Sequence, residues 1–188
     1  ACIDNLVPET QELSVVLYEN SAAVLAPLTN DVSDLRSAAA GISANGGTNI
    51  PAGLREGIAS LENAAGTKAI ILMTDGEDGN PNEMPAAIEA AQAENIAVFT
   101  VSTGGGAREY MENIARQTGG FYMEAFTDAE LVNVYTALQN FIVNNYCFEY
   151  TVSEDKESNP RVLTIGLKDY EVASSRTYAY GGVVLARD

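Results

Sequence analysis

The sequence predicts an α/β fold, a doubly wound and mostly parallel sheet with helices on both faces, followed by a small antiparallel β appendage. Three observations carry this. Short apolar runs such as Ala69-Ile70-Ile71-Leu72-Met73 are bounded by turn signals, as strands buried on both faces are. They alternate with segments whose apolar residues recur at helical spacing, which implies right-handed crossovers between parallel strands. Beyond Asn144 the pattern changes to strand-like runs separated by polar turns.

Each element has its own reason. Glu12–Tyr18 and Ala22–Leu28 read as strands joined by Glu19-Asn20-Ser21, a hairpin at one edge of the sheet. Asn30 or Asp31 caps a helix carrying Leu35, Ala39 and Ile42 on one face. Pro51 fits the first turn of the next helix, with Leu54, Ile58 and Leu61 aligned. The strand at Ala69–Met73 leads to a helix over Pro85–Glu94, a strand over Ile96–Ser102 and a helix over Ala107–Thr118 that stops at Gly119. Phe121–Glu124 is a short strand. Thr127-Asp128-Ala129-Glu130 forms a capping box, and Leu131, Val134, Leu138 and Phe141 form the buried stripe of the last long helix. Tyr146–Val152, Arg161–Lys168 and Arg176–Val184 are the strands of the appendage, so residues 1–145 and 146–188 are expected to be two domains.

Composition narrows the function. Ten Lys and Arg against 26 Asp and Glu give a formal charge of −16. Nucleic acid and anionic membrane surfaces, which need a basic footprint, are disfavoured as partners. No apolar stretch reaches the length of a membrane span, so no membrane insertion is expected. The two cysteines, Cys2 and Cys147, sit near the ends of the larger expected domain. If paired, they close a loop long enough for the chain-entropy model to give about 5 kcal/mol, and they indicate an oxidising compartment. Two unrelated buried thiols are the alternative.

Two polar loops carry the chemistry, Gly46-Gly47-Thr48-Asn49 and Thr74-Asp75-Gly76-Glu77-Asp78. The second follows a buried strand directly, and ligands in open α/β sheets sit beyond the carboxyl ends of such strands. Asp75 therefore belongs at the functional rim. A hydroxyl and a carboxylate are hard oxygen donors suited to Mg²⁺ or Mn²⁺. Taken singly, Thr48 is a helix-start residue and Asp75-Gly76 a common turn dipeptide. Glu77 and Asp78 add negative charge and are expected to face solvent. A rival reading, a nucleotide-binding enzyme, would use the turn Ser102-Thr103-Gly104-Gly105-Gly106, where backbone amides at a helix start could hold phosphate, although it matches no phosphate-loop motif. With no histidine in the chain and no acid–base constellation beside either cysteine, no catalytic residue is assigned and a non-enzymatic role is expected.

Over roughly residues 1–143 the chain resembles the von Willebrand factor type A domain, whose metal-ion-dependent adhesion site is built from three loops. Gly47-Thr48-Asn49 matches the second of these and Thr74-Asp75-Gly76 the third. Ile96-Ala97-Val98-Phe99-Thr100-Val101 and Gly119-Gly120-Phe121-Tyr122 match later strands of the family. The resemblance implies that Thr48 and Asp75 are metal ligands, direct or through water. It implies a Mg²⁺ or Mn²⁺ ion whose last position is filled by an acidic residue of a protein or extracellular-matrix partner. Asn49, Gly76 and Glu77 then shape the partner contact, and the setting is extracellular or at the cell surface. The family's first loop, Asp-x-Ser-x-Ser, occurs nowhere in these residues, and Ala1-Cys2-Ile3-Asp4-Asn5-Leu6 resembles the end of the family's first helix.

The strand that carries the first loop lies centrally in the family, between Leu13–Tyr18 and Ala69–Met73. An empty central slot would strand buried backbone groups at about 1–3 kcal/mol each, against a total stability of about 5–15 kcal/mol. Three solutions are open. The strand belongs to a longer parent or a separate piece, a strand-donating segment or second chain supplies it in trans, or the tail strand Val162–Leu167 folds into the gap. An adhesion module with a cation-dependent rim is the expected function. A structural or assembly domain with a vestigial metal site is the alternative.

Overall fold

The computed structural model describes residues 3–43, 46–104, 107–144, 161–166 and 173–178. Cys2, Cys147 and the strand expected over Tyr146–Val152 lie outside the described residues. The chain divides into two compact units, residues 1–145 and 146–188.

In the first unit, β1 (Leu13–Tyr18) and β2 (Ala22–Thr29) form the expected antiparallel hairpin. Helix α1 (Val32–Ala40) follows, with Asp31 as the N-cap. Its carboxylate accepts from Ser33 N at 2.8 Å and Asp34 N at 3.2 Å. Helix α2 (Ile50–Ser60) starts with Pro51 in its first turn, where a missing N–H costs nothing. Strand β3 (Ala69–Thr74), helix α3 (Met84–Ala93), strand β4 (Ala97–Ser102), helix α4 (Arg108–Thr118), strand β5 (Tyr122–Glu124) and helix α5 (Asp128–Asn144) complete the alternation. α4 ends where Gly119 adopts a left-handed φ of 81°, the C-cap conformation that glycine takes without a Cβ penalty. The capping box at the start of α5 forms on one side as expected, Glu130 N donating to Thr127 Oγ1 at 3.2 Å. The Glu130 carboxylate accepts instead from Phe126 N at 2.8 Å.

β3, β4 and β5 pair in parallel in that order. Side chains alternate across them. Leu72 and Val98 join Leu54, Ile88 and Met111 in a core under α2, α3 and α4. Phe99 and Val101 join Val134 and Leu138 in a second core under α5, where Phe99, Phe121 and Phe141 meet edge to face at 4.9–5.6 Å. Thr100, fully buried, satisfies its hydroxyl by donating to the Met111 carbonyl at 2.9 Å, which ties α4 to β4.

Among the described residues no strand pairing joins β1–β2 to this sheet, and β3 is the sheet's outer strand. One helix spans both. α2 lays Gly53 on the Tyr18 ring of β1 and Gly57 on Ile70 of β3, so the two sheets lie side by side beneath it. At the rim the Tyr18 hydroxyl donates to the Met73 carbonyl. Met73 keeps 39% of its surface exposed.

In the second unit, β6 (Arg161–Gly166) pairs antiparallel with β7 (Ala173–Tyr178), from Arg161↔Tyr178 to Gly166↔Ala173. β7 begins at Ala173, three residues earlier than its composition suggested, because pairing with β6 extends it through Ser174 and Ser175. Among the described residues the tail strand β6 pairs with β7 in a two-stranded sheet.

Two outcomes follow. A Cβ at Gly120 would lie 1.9 Å from the Val98 carbonyl oxygen. Gly120→Ala should therefore destabilise the chain by at least about 1–3 kcal/mol in chemical denaturation, and an unchanged midpoint would contradict the close β4–β5 approach. Burial pushes the Tyr18 hydroxyl up to about 12, and the Asp75 carboxylate adds to the rise. Because the folded value exceeds the unfolded value of about 10, its stabilising contribution is complete below about pH 10 and is lost as pH climbs towards 12. Tyr18→Phe should remove one late-ionising tyrosine from an ultraviolet titration and flatten that part of the stability profile.

Candidate metal centre at the sheet rim

The rim gathers the carboxyl ends of β1, β3 and β4 with the amino end of α2. Asn49 places Thr48 there. It is the N-cap of α2, its Oδ1 accepting from Ala52 N at 3.0 Å, while its backbone N–H donates to the Glu19 carbonyl at 2.7 Å and its Nδ2 to the Asn20 carbonyl at 3.3 Å. Asn49, expected to face a partner, thus spends its side chain on the helix and the β1–β2 turn. Gly47 tucks under Asn20, where a Cβ would lie 2.5 Å from Oδ1.

Asp75 is placed by its neighbour Thr74. The buried Thr74 hydroxyl donates to the Gly76 carbonyl at 3.0 Å and accepts from Gly76 N at 3.2 Å, closing the turn after β3. Asp75 and Glu77 are left exposed, and Gly76 half-buried. Gly76 faces the Thr48 hydroxyl, with a Cβ built there only 3.7 Å from Oγ1. Gly79 N donates to the Thr48 carbonyl at 2.7 Å. The two loops picked out in the sequence are therefore in contact.

Thr48 and Asp75 line one cavity of about 230 Å³ with Tyr18, Met73, Thr74 and Thr103. Its donor set is chemically suited to a hard cation, with one carboxylate and the hydroxyls of Thr48 and Thr103. The set is also short. Among the described residues no three Asp, Glu, His or Cys side chains gather as a metal cluster. The residues present fit part of a coordination sphere, leaving the remaining positions to water or to further ligands.

Asp78 departs from expectation. It is half-buried, and its carboxylate accepts from Ile50 N at 3.1 Å, from Asn80 N at 3.0 Å and from the Tyr110 hydroxyl. Its signal in the sequence was the turn chemistry of Asp78-Gly79-Asn80-Pro81, which predicts an Asx-type bond two residues on but not the bond to α2. Tyr18 and Thr103 were also missed as cavity residues. Thr103 and Gly104 pack on the Asp75 loop, Thr103 N donating to the Thr74 carbonyl at 3.0 Å and a Gly104 Cβ falling 2.6 Å from the Asp75 oxygen. That turn packs on the Asp75 main chain, while Gly105 and Gly106 lie outside the described residues.

Removing the Asn49 cap tests this local structure. Asn49→Ala should cost about 1 kcal/mol in denaturation, and an unaltered stability would contradict the capping geometry.

Residues 2–137 match the von Willebrand factor type A domain. Calcium-activated chloride channel regulator 1 of Bos taurus is 34% identical over 102 residues, 52% of this chain and 11% of that protein. Among solved structures, a von Willebrand factor type A protein from Catenulispora acidiphila superposes with a TM-score of 0.69 at 22% identity, covering 75% of this chain and 35% of that one. Proximal thread matrix protein 1 of the mussel byssus, solved with a zinc-occupied adhesion-site motif, superposes with a TM-score of 0.61 at 20% identity over 74% of this chain and 37% of its own. The chain therefore spans about a tenth of the length of the channel regulator and little more than a third of each of these two structures. The match over residues 2–137, on a sheet order and rim loops built as described, means that the chain belongs to the von Willebrand factor type A family.

Proposed function

We propose that the chain is a non-enzymatic adhesion module that binds a protein or matrix partner at the carboxyl rim of its sheet, in an extracellular or cell-surface setting, with Mg²⁺ or Mn²⁺ at the contact. The observation that carries the reading is the meeting of Thr48 and Asp75 on one rim cavity. A divalent cation bound there would supply positive charge to which a partner carboxylate coordinates. The chain's own residues do the rest. Thr48 offers a hydroxyl oxygen and Asp75 a carboxylate, Gly76 leaves room between them, and exposed Glu77 borders the partner's approach. The zinc-occupied motif of the mussel relative supports a metal at this place in the fold. Family membership supports an interaction role.

Among the described residues β3 is the outer strand of its sheet, and strand addition there by a donated segment or a second chain would satisfy its N–H and C=O groups. A second reading, a structural or assembly domain whose rim binds without metal, is favoured by the short donor set.

Chelation separates the two. Partner capture should be lost in chelator and restored by Mg²⁺ or Mn²⁺, whereas chelator-insensitive capture would favour the structural role. Asp75→Ala should lower calorimetric Mn²⁺ affinity without changing the denaturation midpoint, since the residue is exposed at a strand end. Equal affinity in mutant and parent would remove Asp75 from the ligand set.

A further inference from the structure

We propose that Asp78, locked by the Tyr110 hydroxyl of α4, is the positioning residue that holds the Thr48 loop against the Asp75 loop; the proposal rests on the cation reading above. Asp78 does not line the rim cavity, whose wall is made by Tyr18, Thr48, Met73, Thr74, Asp75 and Thr103. It acts on that cavity through the backbone. One oxygen, Oδ1, receives Ile50 N at 3.1 Å and Asn80 N at 3.0 Å, so a single atom joins the start of α2 to the loop that follows Asp75. Ile50 lies two residues after Thr48. Thr48 itself is held from the same loop by Gly79 N, which donates to its carbonyl at 2.7 Å. The carbonyl of Thr48 and the amide of Ile50 are thus both tied to Asp78-Gly79, and this fixes where the Thr48 hydroxyl stands relative to Asp75.

The other carboxylate oxygen is what makes the clamp rigid. Oδ2 accepts from the Tyr110 hydroxyl, and Tyr110 packs on the core under α2, α3 and α4. Its neighbour Met111 is fully buried, with its carbonyl bonded to Thr100 of β4 at 2.9 Å. The anchor therefore runs from the central strand through α4 to Asp78 and on to α2. A carboxyl side chain suits a group that must accept three hydrogen bonds at once, because its two oxygens offer several acceptor sites. Partners of this kind, one step removed from a metal, typically alter its affinity by 10–100-fold when changed.

The test is a Mn²⁺ titration of the full chain followed by paramagnetic broadening of the Thr48 and Asp75 amide resonances, with hydrogen exchange read at Ile50 and Gly79. Tyr110→Phe should weaken Mn²⁺ by about tenfold and speed exchange at Ile50, at unchanged overall fold. Asp78→Ala should weaken it at least as much. Asp78→Asn, which keeps a carbonyl oxygen for the Ile50 and Asn80 amides, should recover most of that loss. Should Asp78→Ala fail to fold, Tyr110→Phe and Asp78→Asn carry the comparison. Parent affinity in Tyr110→Phe, with Asp78→Asn as weak as Asp78→Ala, would overturn the proposal by showing that Asp78 acts through its charge and not by position. Absence of any broadening in the parent chain would overturn the cation reading, and the proposal with it. Broadening in the parent that persists equally in all three variants would overturn the proposal alone.

Discussion

The rim of this domain depends on two loops, distant in sequence, that share their backbone hydrogen bonds. Gly79 N reaches the Thr48 carbonyl and Ile50 N reaches the Asp78 carboxylate, so neither loop closes its own polar groups without the other. Buried or half-buried backbone groups left unpaired cost about 1–3 kcal/mol each, which makes this exchange a structural requirement before it is a functional one. A consequence is that the oxygen donors of Thr48 and Asp75 arrive on one cavity as a by-product of satisfying main-chain chemistry. Gly104 allows the approach, since a Cβ there would lie 2.6 Å from the Asp75 carbonyl oxygen.

A second constraint runs the length of α2. This helix covers both the β1–β2 hairpin and β3, and it does so by presenting Gly53 to Tyr18 and Gly57 to Ile70. Small residues let the helix backbone lie close to two sheets that no strand pairing joins among the described residues. The Tyr18 hydroxyl, kept protonated across ordinary pH by burial, links them at the rim by donating to the Met73 carbonyl. Local order is accordingly expected to be highest around β4, whose six residues are buried or nearly so, and lower along β1 and the edge of β3.

Much of this was legible beforehand, for identifiable reasons. Strand and helix periodicity is strong in the first unit because β3 is a short apolar run, β4 is buried on both faces and the helices bury one stripe each, so element types and order follow from pattern alone. Asp31, Pro51 and Gly119 mark helix ends by mechanisms that act within a few residues. Asp75 could be placed at the rim because it ends β3, while Thr48 and Asp75 could be named together as ligands because their loops resemble the family's second and third metal loops. What could not be read were contacts set by tertiary approach. Asp78 looks like a solvent-facing acid until Tyr110, 32 residues later, is brought beside it. Thr103 looks like part of a phosphate-type turn until β4 lays it against the Asp75 loop. The tail's polar composition gave weak boundaries, and β7 was placed only by its pairing with β6.

The account's central claim is that Thr48 and Asp75 together hold a divalent cation at the rim. The most direct measurement is an anomalous difference map from a crystal of the chain soaked in Mn²⁺, collected above and below the manganese absorption edge. The account predicts a single peak in the cavity between the Thr48 hydroxyl and the Asp75 carboxylate, bound directly at roughly 2.1 Å or through one ordered water. A map with no peak there at saturating Mn²⁺, or with its strongest peak at surface carboxylates elsewhere, would contradict it.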